Sequence, residues 1–195
     1  MRLFVALDID NEIRDRITRF LEGVQPFAPD ARWVKPESLH VTLKFIGEQP
    51  ESALDNLKSA LETIHTPLAE IHFRAYGFFP TSKSARVFWI GMETGPELAA
   101  LAAAIDAQMP ALGIAKETRP FSPHLTLARA PGGSGAPHRR KSDKPNRVFQ
   151  HMQEKLAALP TPEFGTMTPH EFFLYQSHLS PKGSTYTKLQ PFALR

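Results

Sequence analysis

His40-Val41-Thr42-Leu43 and His124-Leu125-Thr126-Leu127 are two copies of one tetrad, HxTL, in a chain of 195 residues. On a β-strand, residues i and i+2 point to the same face. Each copy therefore sets an imidazole beside a hydroxyl, with Val41 and Leu43, or Leu125 and Leu127, turned to the other side. Two such pairs facing each other suit a phosphodiester. A neutral imidazole can take a proton from attacking water while an imidazolium gives one to the leaving oxygen. Histidine, with an unperturbed pKa near ~6.5, has both states within reach near neutrality. The threonine hydroxyls can hold non-bridging oxygens and keep phosphorus in line. That division of labour needs no metal and no cofactor.

Other chemistries fail on absent residues. His65, His72, His138, His151, His170 and His178 stand in no partnered pattern. No carboxylate is grouped with either tetrad, and HExxH is absent, which argues against a metal site. The chain has neither a GxSxG elbow nor a GxxxxGK[ST] loop. With no cysteine, disulfides, thiolate zinc, iron–sulfur clusters and a thiol nucleophile are excluded together. No apolar run approaches the ~20 residues of a membrane span. The opening MRLFVALDIDNEIRDR has too short an apolar run for a signal peptide. A cytoplasmic protein is the expectation, with a monomer as the default.

The elements that must position the tetrads follow from period and breakers. Strands are expected over 3–9, 39–46, 71–79, 87–92, 124–127, 171–178 and 185–189. Helices are expected over 11–24, with Asp10 as N-cap, and over 51–64, 97–109 and 148–159. The order repeats. Phe4 lies 36 residues before His40, and Phe88 lies 36 before His124. Sliding the hairpin by 99 residues brings Phe73 onto Phe172, Tyr76 onto Tyr175 and Lys83 onto Lys182, against 84 between the tetrads. The difference matches a glycine-rich insert. This predicts an α+β fold: two lobes related by a pseudo-two-fold, each an antiparallel sheet with helices on its outer face, and a groove between them. Residues 1–195 then form one domain of two duplicated lobes.

The formal net charge is +3, and it is local. Arg129, Arg139, Arg140, Lys141, Lys144 and Arg147 cluster with only Asp143 among them, while acids outnumber bases in the rest of the chain. Residues 131–147 read as a flexible basic loop close to the second tetrad, suited to draw in a polyanion. Among the aromatics near the tetrads (Phe45, Phe78, Phe79, Phe121), Phe121 is the candidate for base stacking by proximity. Tyr186 reads as a core edge rather than a wall of the site.

The paired tetrads, the opening MRLFVAL, Trp33 ahead of SLHVTLKFIGE, FSPHLTLAR and the C-terminal SxLxxxGxxYxxL (Ser177 to Leu189) together resemble the two-histidine (2H) phosphoesterases. Within them the chain is most similar to the RNA 2′,3′-cyclic phosphodiesterases, once called 2′-5′ RNA ligases, over nearly its whole length. The resemblance implies metal-independent hydrolysis of 2′,3′-cyclic phosphate ends of RNA to 2′-phosphomonoesters; a small cyclic nucleotide would present the same ring. By motif order His40 matches the proton donor and His124 the proton acceptor. Thr42 and Thr126 match phosphate-binding threonines, and Arg129 an arginine that contacts phosphate. At i+5 from His124, Arg129 falls on the opposite face of an ideal strand, so this role requires the strand to end or twist at Ala128. An RNA-end binding module, or reversible 2′-5′ ligation, is the alternative.

Overall fold

The structure, a computed structural model, describes residues 1–67, 69–132, 145–180 and 183–195. The centre of the basic segment, with Arg139, Arg140, Lys141 and Lys144, lies outside the described residues, as does Lys182.

In chain order the elements are β1 (Arg2–Asp8), α1 (Asn11–Val24), β2 (Arg32–Trp33), β3 (His40–Glu48), α2 (Leu54–Glu62), β4 (Ile71–Phe79), β5 (Val87–Thr94), α3 (Pro96–Gln108), β6 (Leu125–Arg129), α4 (Gln150–Ala157), β7 (Glu163–Met167), β8 (Glu171–Ser180) and β9 (Gly183–Ala193). They build two antiparallel sheets, ordered β3-β1-β8-β9 and β2-β6-β5-β4-β7. In α1 the buried Ile13, Ile17, Leu21 and Val24 recur at helical spacing and face the core. Asp10 stands at its N-cap with extended backbone, but the side chain makes no capping hydrogen bond. A 3-10 turn, Glu51–Ala53, replaces the first turn of the helix expected over 51–64.

The main core runs through both halves: Leu3, Val5 and Leu7 of β1 join Phe73, Phe88 and Ile90 of the second sheet and the apolar faces of the helices. A smaller cluster, Phe4, Ala6, Phe173 and Tyr175, with Tyr186 packed on it, occupies the other face of the first sheet. β1 is thus buried on both faces, which explains its unbroken apolar run.

Sheet order sets β3, β1, β8 and β9 against β6, β5, β4 and β7. The pseudo-two-fold is present, but two sequence offsets mislead in detail. Thr42 faces Ala6, 36 residues earlier, whereas Thr126 faces Trp89, 37 residues earlier. The equal spacings of Phe4 and Phe88 therefore join a groove-side ring to a core ring, because a slip of one residue reverses the face. The hairpin offset pairs β4 with β8, and Phe73 and Phe172 are both fully buried. Tyr76 and Tyr175 part company, since Ala75 interrupts β4 with a positive φ of 60°. β9 takes the place that β7, not β5, has in the second sheet, because the β5 position is already filled by β1.

Two strands escape sequence reading. β2 has two residues, and β7 carries Gly165 at φ +110° with only Phe164 and Met167 buried. β9 runs to Ala193 through Pro191, which an edge strand tolerates.

Beside the second tetrad, on the face that carries Thr126, the Trp89 indole lies flat on Gly77 of the adjacent strand. A Cβ at residue 77 would stand 2.1 Å from that ring. Trp89 in turn packs against Phe79, 5.0 Å between centroids, and Phe79 meets the His124 ring at 5.0 Å and 89°. Gly77→Ala is expected to destabilise the fold by about 1–3 kcal/mol, the usual range for overpacking. Denaturant unfolding would show this as a lower midpoint at unchanged m-value.

Candidate active site

The leucine of each tetrad is a β-bulge. Between β1 and β3, Val5 faces Lys44 and Ala6 faces Thr42, so Leu43 is the extra residue. Between β5 and β6, Phe88 faces Ala128 and Trp89 faces Thr126, so Leu127 is the extra residue. A bulge puts two residues opposite one and resets the alternation beyond it. Leu43 and Lys44 are both buried, as are Leu127 and Ala128, and Phe45 and Arg129 return to the face of the tetrad histidines. This meets the condition for Arg129: the strand continues, and the extra residue supplies the missing half-turn.

Each imidazole is oriented by the same local contact. His40 Nδ1 donates to the Ser38 carbonyl at 2.7 Å, and His124 Nδ1 donates to the Ser122 carbonyl at 2.9 Å. A carbonyl can only accept, so Nδ1 carries the proton and Nε2 is left to exchange one. The turn Pro36–Ser38 that presents the first carbonyl is held from α1, where Arg14 donates to the Pro36 carbonyl and pairs with Asp8 at 2.7 Å. Asp8 lies opposite His40 in the register and also accepts from Lys188 at 2.5 Å.

Lys44, turned inward by the bulge, pairs with Asp106 of α3 at 2.6 Å and donates to the Ala115 carbonyl at 3.0 Å. The same Asp106 carboxylate accepts from the Glu117 amide at 3.0 Å. The strand bearing His40 is thereby tied to the segment that leads into His124.

The surroundings of the two rings differ. His40 packs against Phe4 at 4.9 Å and edge-on against Tyr186 at 5.0 Å, so Tyr186, at the edge of the smaller buried cluster, also lines the wall beside His40. Thr42 and Thr126 are half-buried, and among the described residues neither hydroxyl has a protein hydrogen-bond partner. Phe121 is half-buried and packs on the main core, whereas Phe45 is 61% exposed.

Burial dominates the electrostatics. It pushes His40 down to about 4, helped by the charges of Arg129 and His124 and opposed by the Ser38 carbonyl and Asp8. Burial and Arg129 also lower His124, against the Ser122 carbonyl. The two imidazoles and the guanidinium thus feel one another across a single site. Burial likewise lowers Arg129, opposed by the Tyr186 oxygen. Among the described residues no group of three or more His, Cys, Asp or Glu is placed to hold a metal.

The Ser38 and Ser122 carbonyls and the Tyr186 ring were missed as site elements. The shared spelling SxHxTL was a readable sign of the first two; Tyr186, the tyrosine of the C-terminal SxLxxxGxxYxxL, reads from sequence as a core edge.

Two titrations check this picture. Removing the guanidinium as Arg129→Met is expected to raise the pKa of both histidines, seen by NMR of their ring resonances. Between about 4 and ~6.5 the unfolded chain binds the His40 proton and the folded chain does not, so this residue makes stability fall as pH drops through that window. Thermal unfolding between pH 7 and 4.5 is expected to show a shallower decline in His40→Gln than in the parent.

The family model of the LigT-like phosphoesterases matches the chain twice, over residues 7–89 and 90–186. An RNA 2′,3′-cyclic phosphodiesterase of Archaeoglobus fulgidus is 33% identical over 98% of this chain and 99% of its own. One from Methanothermobacter thermautotrophicus is 32% identical over 100% and 99%. Among solved structures, E. coli LigT complexed with 3′-AMP superposes with a TM-score of 0.75 at 27% identity, covering 99% of this chain and 97% of the other. Matches in both halves, and relatives that align from end to end, establish that the chain belongs to the LigT-like phosphoesterase family.

Proposed function

We propose that this protein hydrolyses 2′,3′-cyclic phosphate ends of RNA to 2′-phosphomonoesters, without metal. The observation that carries this is the doubled device: two SxHxTL elements, each bulged at its leucine, each with Nδ1 tied to a serine carbonyl, within electrostatic reach of one arginine. The names of the relatives and the 3′-AMP complex of E. coli LigT support a nucleotide substrate.

Water attacks phosphorus while His124 Nε2 takes its proton. The P–O3′ bond breaks and His40 Nε2 delivers a proton to the departing 3′ oxygen, leaving phosphate on the 2′ oxygen. Thr42, Thr126 and Arg129 hold the non-bridging oxygens, whose charge grows in the transition state. Free His40 is neutral at pH 7. A bound phosphodiester anion opposes the Arg129 and His124 charges and favours the proton that burial disfavours and the donor needs. For the base, Phe121 and the more exposed Phe45 flank the tetrads. The stacking ring is the one whose change to Ala raises KM with kcat kept.

The setting is a cytoplasmic monomer. No described helix is long and apolar enough to cross a membrane. An oligonucleotide with a cyclic phosphate end, incubated with enzyme and EDTA, is expected to yield a 2′-phosphate, read by 31P NMR. His40→Ala and His124→Ala are each expected to lower kcat by roughly 10²–10⁴-fold with circular dichroism unchanged. Full activity in the double variant, or activity that a chelator abolishes and a divalent ion restores, overturns the mechanism. Adding a 5′-hydroxyl oligonucleotide to the same assay reads the reverse, ligation at a 2′-5′ bond. Because substrate favours the donor's proton, the alkaline limb of kcat should lie at higher pH than that of kcat/KM.

A further inference from the structure

Tyr186 takes no part in the paired-tetrad scheme, yet it is built into the site. It projects from β9, at the edge of the first sheet, and its ring stands edge-on both to His40, at 5.0 Å and 82°, and to Phe4, at 5.2 Å and 77°. Phe4 is itself stacked on Tyr175 at 5.0 Å, so the Tyr186 ring rests on a packed aromatic layer. Its side chain is half-buried, and its hydroxyl is not among the buried orphan groups. Among the described residues that hydroxyl has no hydrogen-bond partner. The Arg129 guanidinium, which comes from the second sheet, nonetheless lies within electrostatic range of Tyr186. An accessible phenol, fixed by its ring beside His40 and within electrostatic range of a guanidinium, is placed to meet an oxyanion bound at His40.

We propose that Tyr186 contacts the substrate phosphate, its hydroxyl donating a hydrogen bond to a non-bridging oxygen shared with Arg129 while its ring fixes the His40 imidazole. This rests on the reading of the groove as a phosphodiester site. The group acts as a donor and transfers no proton, because the histidines already supply acid and base. A hydrogen bond to a charged oxygen is stronger than a neutral one, so its loss is measurable.

Tyr186→Phe keeps the ring and deletes only the hydroxyl. The variant is expected to bind inorganic phosphate about tenfold more weakly by calorimetry, and to lose a similar factor in kcat/KM on 2′,3′-cyclic AMP. The His40 titration and the thermal midpoint are expected to stay at their parent values. Tyr186→Leu, which also removes the ring, is expected to shift the His40 titration as well. Phosphate affinity and kcat/KM within twofold of the parent in Tyr186→Phe would overturn the proposal, as would a parent protein that binds no phosphate. Phosphate binding is read without turnover. A parent that binds phosphate but opens no cyclic phosphate would refute the hydrolase while still testing the tyrosine.

Discussion

One extra residue in each tetrad is the constraint on which the groove depends. A regular strand bearing HxTL would send its fifth residue after the histidine to the far face, into the core. The bulges at Leu43 and Leu127 instead bury two consecutive residues and return the next side chain to the groove. In the second half that side chain is Arg129, and without the shift a guanidinium would be aimed at the apolar core of the sheet, which burial makes prohibitive. The same displacement turns Lys44 inward, where Asp106 and the Ala115 carbonyl receive it.

The pseudo-symmetry is close in backbone and broken in chemistry. His40 matches His124, Thr42 matches Thr126 and Ser38 matches Ser122, each 84 residues apart. Two and three places further on, the match gives Lys44 against Ala128 and Phe45 against Arg129. One wall therefore carries the arginine, with Phe79 against His124, and the other is more aromatic, with Phe4, Tyr175 and Tyr186 around His40 and Phe45 against Phe4. An asymmetric substrate, with a base on one side and a phosphate on the other, suits such a groove better than a symmetric one.

Clustering two imidazoles and an arginine in a partly dry groove raises the free energy of every protonated state. The fold opposes this with fixed dipoles, the Ser38 and Ser122 carbonyls, and with Asp8 beside His40. Asp8 stays charged despite its own burial, because Lys188 and Arg14 hydrogen-bond to it and hold its carboxyl below the usual range. The site is left short of negative charge, which suits the proposed phosphodiester substrate.

The strand–helix order and the inward faces of α1 and β3 were legible in the sequence because hydrophobic period reports them locally. The tetrads were legible because their residue types are chemically specific and appear twice. What the sequence concealed was register. Equal spacings of Phe4 and Phe88 concealed opposite faces, the hairpin offset paired β9 with the wrong strand, and β7 left almost no apolar signal. By itself the sequence determined that two tetrads of like chemistry recur and that each sets a histidine beside a threonine, since both follow from residue identity and a two-residue repeat. Only the tertiary structure decided that Arg129 joins them and that Tyr186, from the far end of the chain, closes over His40. Bulges and the pairing of β1 with β8 are set by contacts between distant segments, and no local pattern records those.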